Sequence, residues 1–216
     1  MLIPTQSNTL DIDTHTIIDA VSLINDKELP HIFRTGSSLG PAVARNSVLE
    51  QLRKWLESSG KGSDRNRRCL WLDDDMVISD DPVRIAAAFS KADKEGLNII
   101  GYARIPKNPY LSDSFSVSGN LLEKTGDFTE VGSKRTYPSF IPYGAEKISA
   151  LKPFDPLPNT VGGLAFYYGD TPIDYKFHID DGYFGIMGED TNFFVDNGIK
   201  LNYFDVKLYH RKTLYI

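Results

Sequence analysis

The apolar run Cys69–Leu72 is followed directly by three aspartates, Asp73, Asp74 and Asp75. A short run of this kind is typical of a strand that is buried inside a sheet. Ionised carboxylates can follow such a strand only where a cation, hydrogen-bond donors or water compensate their charge. The pattern therefore predicts either a divalent-metal site at a sheet edge or a solvated acidic turn that caps the next helix. Hard cations such as Mg²⁺ prefer carboxylate oxygens, which favours the metal site.

Strand-like and helix-like segments alternate through the first half of the chain. Strands are predicted at 1–5, 31–33, 69–72 and 97–103, and helices at 14–25, 41–57 and 82–95. Pro41 and Pro82 mark two helix starts, and Gly96 marks an end. Strands separated by helices indicate a largely parallel sheet, in which ligands bind beyond the carboxyl ends of the strands.

The second half of the chain has a different pattern, with seven of the twelve prolines between Pro106 and Pro158. Its strand-like segments are short, at 114–118, 135–141 and 163–168. A short helix is expected at 189–197 with Gly198 after it, and a last strand at 199–204, before a tail that contains His210. This half is expected to form a mixed or antiparallel region with long loops that flanks a substrate.

Composition restricts the possible functions of the 216 residues. The formal net charge of −5 argues against nucleic acid as a partner. The single cysteine, Cys69, cannot form an internal disulfide and fits a reducing compartment. No apolar stretch has the length of a transmembrane helix, and the N-terminus lacks a signal-peptide pattern. We therefore expect a cytoplasmic protein, with peripheral membrane contact through a surface patch left open.

Arg45 occupies an unusual position at the head of an apolar helical stripe. Spacing by three and four residues places it on one face with Leu49, Leu52 and Leu56. A charged residue above such a stripe indicates that this end of the helix borders a cavity. There a guanidinium can bind a phosphate or a carboxylate with two parallel hydrogen bonds. The alternative is a structural ion pair between Arg45 and a nearby aspartate.

Polar groups near the end of the chain have two interpretations each. Glu189 and Asp190 open a predicted helix, where the helix dipole alone favours acidic residues. A carboxylate beside a cleft can instead act as a general base toward a substrate hydroxyl. His210, which lies beside basic residues, is either an ordinary surface histidine or a group that completes a metal shell or contacts phosphate.

The order of these motifs resembles that of the GT-A glycosyltransferases, most closely the family 2-like members. The resemblance extends from Ala44 to His210 and rests on Ala44-Arg45-Asn46, Leu72-Asp73-Asp74-Asp75, Asp180-Asp181-Gly182-Tyr183-Phe184, Gly188-Glu189-Asp190, Gly198 and His210. It implies a single α/β domain over 1–216 with a GT-A, Rossmann-like fold. In that fold a mixed, mostly parallel sheet is flanked by helices, and a smaller antiparallel region lies on the acceptor side. Residues 1–104 would form the nucleotide-sugar-binding half and 105–216 the acceptor-side half.

The resemblance also implies a metal centre. Asp73 and Asp75 match the outer positions of the family's Asp-x-Asp motif, which binds Mn²⁺ or Mg²⁺ together with the donor diphosphate. His210 matches a late histidine that completes the metal or diphosphate site in several GT-A families. Asp74 points the opposite way if strand geometry persists, so it is assigned to the donor sugar or to the scaffold.

Further roles follow from the same resemblance. Arg45 and Asn46 would line the nucleotide pocket, and Pro4 and Thr5 would touch the nucleoside at the end of the first strand. The Glu189–Asp190 pair matches the family's Glu-Asp motif, whose aspartate deprotonates the acceptor hydroxyl in inverting enzymes.

The function expected from the sequence is therefore a metal-dependent hexosyltransferase with an inverting mechanism. It would use a UDP- or GDP-sugar as donor and a glycan or a protein as acceptor. Two alternatives remain open: a nucleotidyltransferase with an acidic metal site, and a non-enzymatic module that binds carbohydrate or metal. The segment Thr5-Gln6-Ser7-Asn8 lacks the glycine and lysine of a triphosphate-binding loop, which ranks the nucleotidyltransferase lower.

Overall fold

A computed structural model describes residues 1–5, 33–36, 40–60, 66–73, 76–104, 115–116, 151–157, 163–178 and 189–210. For 3–5, 33–36, 66, 103–104, 115–116 and 209–210 it describes the backbone alone. Several predicted features fall on residues outside these ranges: Asp74, Asp75, the helix at 14–25, the strand at 135–141 and the motif at 180–184. These expectations stay predictions.

The described residues form an α/β structure with eleven strands and three helices. The helices are α1 (Pro41–Ser58), α2 (Pro82–Glu95) and α3 (Glu189–Asp196). The strands are β1 (Leu2–Thr5), β2 (Phe33–Gly36), β3 (Asn66–Leu72), β4 (Met76–Ile78), β5 (Asn98–Ile100), β6 (Ala103–Arg104), β7 (Phe115–Ser116), β8 (Pro156–Leu157), β9 (Phe166–Pro172), β10 (Leu201–Tyr203) and β11 (Leu208–His210).

The strands belong to two mixed sheets. The larger sheet has the order β2-β1-β3-β9-β5-β10-β8, and the smaller has the order β4-β11-β6-β7. In the larger sheet, β2, β1, β3, β5 and β10 run in one direction, while β9 and β8 run against them. The expected mixed sheet is therefore present among the described residues, with three parallel and three antiparallel pairings in the larger sheet.

Both faces of the large sheet are covered by helices. Along β3, Cys69 and Trp71 join a cluster with apolar residues of α1 and α3, whereas Leu70 and Leu72 join a second cluster with α2. Alternate side chains of a strand point to opposite faces, so a strand covered on both sides must be apolar throughout. This accounts for the uninterrupted apolar run before Asp73.

Local sequence accounts for the ends of the helices. Gly40 precedes α1 with a φ of 103°, a conformation that suits glycine, and Pro41 supplies the first helical residue. The Asp81 side chain caps α2 by accepting a hydrogen bond from the Val83 amide at 3.0 Å, and Gly96 ends that helix in the left-handed conformation. The predicted helices at 41–57, 82–95 and 189–197 are each confirmed to within one residue.

Strand boundaries differ more from the prediction. β3 begins at Asn66 instead of 69, and β9 covers Phe166–Pro172 instead of 163–168. The two strands pair along their whole lengths, from Asn66 opposite Pro172 to Leu72 opposite Phe166. Backbone pairing with a distant partner extends both strands past the end of their apolar patterns.

The prediction of a single strand at 97–103 was wrong. It is divided into β5 in the large sheet and β6 in the small sheet, with Gly101 and Tyr102 between them. The Gly101 amide donates to the carbonyl of Phe166 at 2.9 Å. The expected tail around His210 also differs, because Leu208–His210 forms β11, which lies between β4 and β6.

The second half of the chain contributes to the centre of the large sheet. β9 lies between β3 and β5, and β10 lies on the other side of β5. The second half of the chain was expected to flank a substrate, but its described residues also supply central strands of the large sheet.

The strand order creates a topological switch point beside β1. The chain passes from β1 to β2 on one side and then returns to β3 on the other side, with all three strands parallel. In open α/β sheets, ligands bind outside the carboxyl ends of the strands at such a switch point. Here these ends are Thr5 and Leu72, and Asp73 follows at once.

Gly101 provides a test of how tightly the two sheets are joined. A Cβ atom at this position would lie 2.2 Å from Cγ1 of Val206 and 3.3 Å from the ring of Phe166, both fully buried. We expect Gly101→Ala to lower the free energy of unfolding by about 1–3 kcal/mol, the usual cost of overpacking. Urea denaturation measures this change.

The double variant Gly101→Ala/Val206→Ala is the control for this mechanism. Removing the methyl group that is in conflict should make the double variant more stable than the sum of the single effects. Strict additivity of the two effects would contradict the packing explanation.

Candidate functional site

Arg45 lies in a buried group of charges at the carboxyl edge of the large sheet. Its side chain is 4% exposed. Nη1 lies 2.5 Å from Oε1 of Glu189 and also forms an ion pair with Oδ1 of Asp190, while Nη2 lies 3.5 Å from Oδ1 of Asp73. One guanidinium thus bridges three acidic side chains, and we refer to these four residues as the Arg45 cluster.

Three different elements supply the members of this cluster. Arg45 comes from the second turn of α1, Asp73 directly follows β3, and Glu189 and Asp190 are the first residues of α3. α1 follows the carboxyl end of β2, and α3 precedes the parallel strand β10. Each element therefore brings its polar residue to the same edge of the sheet.

The balance of charge in the cluster changes its ionisation. Burial alone would lower the pKa of Arg45, but the charges of Asp190, Asp73 and Glu189 outweigh this effect and raise that pKa. Burial, aided by the neighbouring Asp190, raises the pKa of Glu189 to about 7, although Arg45 acts in the opposite direction. The pKa of Glu189 is therefore set mainly by burial, against the attraction of the guanidinium.

Both carboxylate oxygens of Asp190 have partners inside the protein. Oδ1 faces Arg45, and Oδ2 accepts a hydrogen bond from the backbone amide of Leu164 at 3.1 Å. The side chain is 9% exposed. The residue that the resemblance identifies as a general base is therefore held in a fixed position next to Arg45.

Asn46 lies beside the cluster and binds protein backbone. Its Nδ2 donates to the carbonyl of Phe177 at 2.9 Å, and its Oδ1 accepts from the amide of the same residue at 2.8 Å. The Phe177 ring lies under the guanidinium of Arg45, with 5.8 Å between Cζ and the ring centroid. The side chain predicted to line a nucleotide pocket thus also anchors the aromatic neighbour of Arg45.

The structure places the backbone of one predicted metal ligand, His210, beside strand β4. β11 pairs antiparallel with β4, and His210 lies opposite Met76, the residue that follows Asp75. Asp74 and Asp75 lie outside the described residues, and the backbone alone is described for His210. Among the described side chains, no group of three or more His, Cys, Asp or Glu residues is arranged to hold a metal ion.

The donor set nevertheless fits a divalent cation. Carboxylate oxygens suit Mg²⁺ and Mn²⁺, and imidazole is a common metal ligand. Asp73, at 21% exposure of its side chain, is the most exposed acidic residue of the Arg45 cluster. Asp73, Asp75 and His210 would hold such an ion.

Pro4 and Thr5 lie at the carboxyl end of β1, as predicted. Their backbones pair with Thr35 and Gly36 of β2, on the side of β1 away from β3. They therefore end the strand that forms one side of the switch point, and Asp73 follows the strand on its other side.

Asp80 is a structural residue of the site that sequence reasoning missed. Its Oδ2 accepts a hydrogen bond from the Lys207 amide at 3.0 Å, and the Ser79 amide donates to the Lys207 carbonyl at 2.8 Å. These contacts fasten the segment after β4 to the start of β11 and so help to place His210. The sequence predicted only a helix start at Pro82, and Asp81, not Asp80, caps that helix.

Comparison with protein-family models, with curated proteins and with solved structures found no match to this chain. In the described part of the chain, no helix has both the length and the apolar character needed to cross a membrane.

The pKa of Glu189 predicts a specific pH dependence of stability. This pKa is raised from 4.5 to about 7 by folding, so the native state binds the extra proton between these values. Stability from this group is complete below pH about 4.5 and is lost as the pH rises through 7. At about 1.4 kcal/mol per pKa unit, the loss is on the order of 3 kcal/mol.

Glu189→Gln should remove this dependence, because the amide mimics the protonated acid. Urea denaturation between about pH 5 and 8, a range that includes the raised pKa of Glu189, measures the effect. Glu57→Gln, which changes an exposed glutamate at the end of α1, is the matched control and should behave like the wild type. An undiminished fall in stability with pH in Glu189→Gln would show that another group causes it.

Asn46 offers a second test of the local structure. In Asn46→Asp, an acceptor replaces the donor that faces the Phe177 carbonyl, so we expect a loss of about 1–3 kcal/mol in the free energy of unfolding. Gln51→Glu, an equivalent charge change at an exposed position of α1, is the control for urea denaturation. Equal stability of the two variants would contradict the anchoring role of Asn46.

Proposed function

We propose that this protein is a metal-dependent glycosyltransferase. It would transfer a sugar from a UDP- or GDP-sugar to a hydroxyl group of a glycan or protein acceptor. The observation that carries the proposal is the pairing of β11 with β4, which places His210 opposite Met76. The backbone of a late histidine thereby lies opposite the residue that follows the three aspartates, although about 135 residues separate these parts of the chain.

The position of these groups in the fold supports a nucleotide ligand. Asp73 lies at the switch point between β1 and β3, where α/β sheets bind ligands. A bound Mn²⁺ or Mg²⁺ would compensate the charge of the diphosphate that leaves the sugar. The protein itself orients Asp73 at this position. The Asp73 amide donates to the Ala165 carbonyl at 3.2 Å, and Arg45 contacts the Asp73 carboxylate.

Asp190 is the candidate general base of this proposal, with Glu189 beside it. A base must come within hydrogen-bond distance of the acceptor hydroxyl, and such contacts often form only in the substrate complex. Asp190 lies at the same edge of the sheet as Asp73, and Arg45 contacts both side chains. The contacts of Arg45 therefore support a donor site at Asp73 and a general base at Asp190, on two sides of the same guanidinium.

A non-enzymatic metal- or carbohydrate-binding module is the second candidate. It is favoured by the contacts of Asp190, whose two oxygens already bind Arg45 and the Leu164 amide. Release of nucleoside diphosphate from a bound nucleotide sugar separates the two functions. An enzyme releases the diphosphate in the presence of Mn²⁺, whereas a binding module leaves the donor intact.

Thermal denaturation with Mn²⁺ and either UDP or GDP tests the proposal. A ligand at 100 times its dissociation constant stabilises the folded state by about 2.7 kcal/mol, so a bound nucleotide should raise the melting temperature. Asp75→Ala should abolish the shift because it removes a proposed metal ligand. Glu57→Ala removes an exposed carboxylate of α1 and should leave the shift unchanged.

Absence of a shift with either UDP or GDP in the presence of Mn²⁺ in the wild type would refute the proposed function. A shift that survives Asp75→Ala would instead refute the assignment of the metal site.

A further inference from the structure

We propose that Arg45 is a positioning residue that sets the affinity of Asp73 for a divalent cation. It would do so by fixing Asp73 to the start of α3 through Glu189 and Asp190. This inference rests on the proposed function, because it assumes that Asp73 is a metal ligand. It assigns Arg45 a role that differs from direct contact with the nucleotide.

The guanidinium has a geometry that suits this role. Its two terminal nitrogens contact different elements: Nη1 faces Glu189 and Asp190 on α3, and Nη2 faces Asp73 after β3. A guanidinium is planar and rigid, so the position of one set of partners restricts the other. Asp73 therefore takes its orientation from α3 as well as from its own strand.

Arg45 is also confined within the protein. Its side chain is 4% exposed, and the Phe177 ring lies below it. To bind a diphosphate directly, the guanidinium would have to leave Glu189 and Asp190, which would strand buried carboxylates without a cation. These surroundings favour a fixed counter-charge over a ligand that moves to a substrate.

Asp73 is the point at which the cluster meets solvent. Its side chain is 21% exposed, compared with 8% for Glu189 and 9% for Asp190. An incoming cation would therefore meet Asp73, while Arg45 stays behind it. Groups that orient a metal ligand in this way typically change metal affinity or activity by about 10–100-fold when they are replaced.

The test measures binding of Mn²⁺ alone to the intact chain by electron paramagnetic resonance. Arg45→Lys keeps the positive charge, but a single ammonium group cannot reproduce the two-sided contact. We expect its dissociation constant for Mn²⁺ to rise by about 10-fold or more. Arg53→Lys is the matched control, because Arg53 lies on the same helix and contacts the Ile173 carbonyl, away from the cluster.

Thermal denaturation of each variant separates positioning from a purely structural role. A lower melting temperature with unchanged Mn²⁺ affinity would overturn the inference and leave Arg45 as a structural ion pair. Unchanged Mn²⁺ affinity with weaker nucleoside diphosphate binding would also overturn it, because Arg45 would then be a direct nucleotide ligand.

Asp190→Asn keeps the test decisive if Arg45→Lys does not fold. This variant removes a negative charge that holds Nη1 of Arg45, and weaker Mn²⁺ binding is again expected, whereas unchanged binding overturns the inference. Failure of the wild type to bind Mn²⁺ would refute the proposed metal site itself. Binding by the wild type that neither variant weakens would refute only the role of Arg45.

Discussion

The burial of one arginine guanidinium is the constraint on which the arrangement of this sheet edge depends. A buried charge is costly unless it is paired, and Arg45 meets this requirement with carboxylates from two other elements. α1, the end of β3 and the start of α3 must therefore meet at one point. The same requirement brings Asp73 and Asp190 close to each other.

The large sheet makes this meeting possible because its strands come from both halves of the chain. β9 pairs with β3 along seven residues and also with β5, which in turn pairs with β10. Helices α1 and α3 pack on one face and α2 packs on the other. Because apolar side chains cover both faces, the charged side chains of the Arg45 cluster lie at the carboxyl edge of the sheet, next to the switch point between β1 and β3.

Features governed by neighbouring residues could be predicted from the sequence. Pro41, Asp81 and Gly96 mark helix ends through local backbone chemistry, and the α1 stripe below Arg45 follows from spacing. The sequence also offered an ion pair with an aspartate as one role for Arg45, and the structure contains that pair. The two carboxylates on α3 could not be chosen as partners, because that contact spans more than 140 residues.

Features governed by distant pairing were missed for the same reason. The extension of β3 to Asn66 depends on pairing with β9, and β11 depends on pairing with β4 and β6. Pairing between segments so far apart in the chain leaves no local sequence pattern. The break at Gly101 reflects close contact with Val206 and Phe166. The roles of Asp73, Asp75 and His210 as metal ligands stay predictions.

Anomalous diffraction from crystals grown with Mn²⁺ tests the central claim most directly. We expect one strong anomalous peak at about 2 Å from the carboxylates of Asp73 and Asp75, with His210 beside it and Arg45 still bound to Asp190. Absence of a peak at this edge, or a peak whose ligands exclude Asp73, would contradict it.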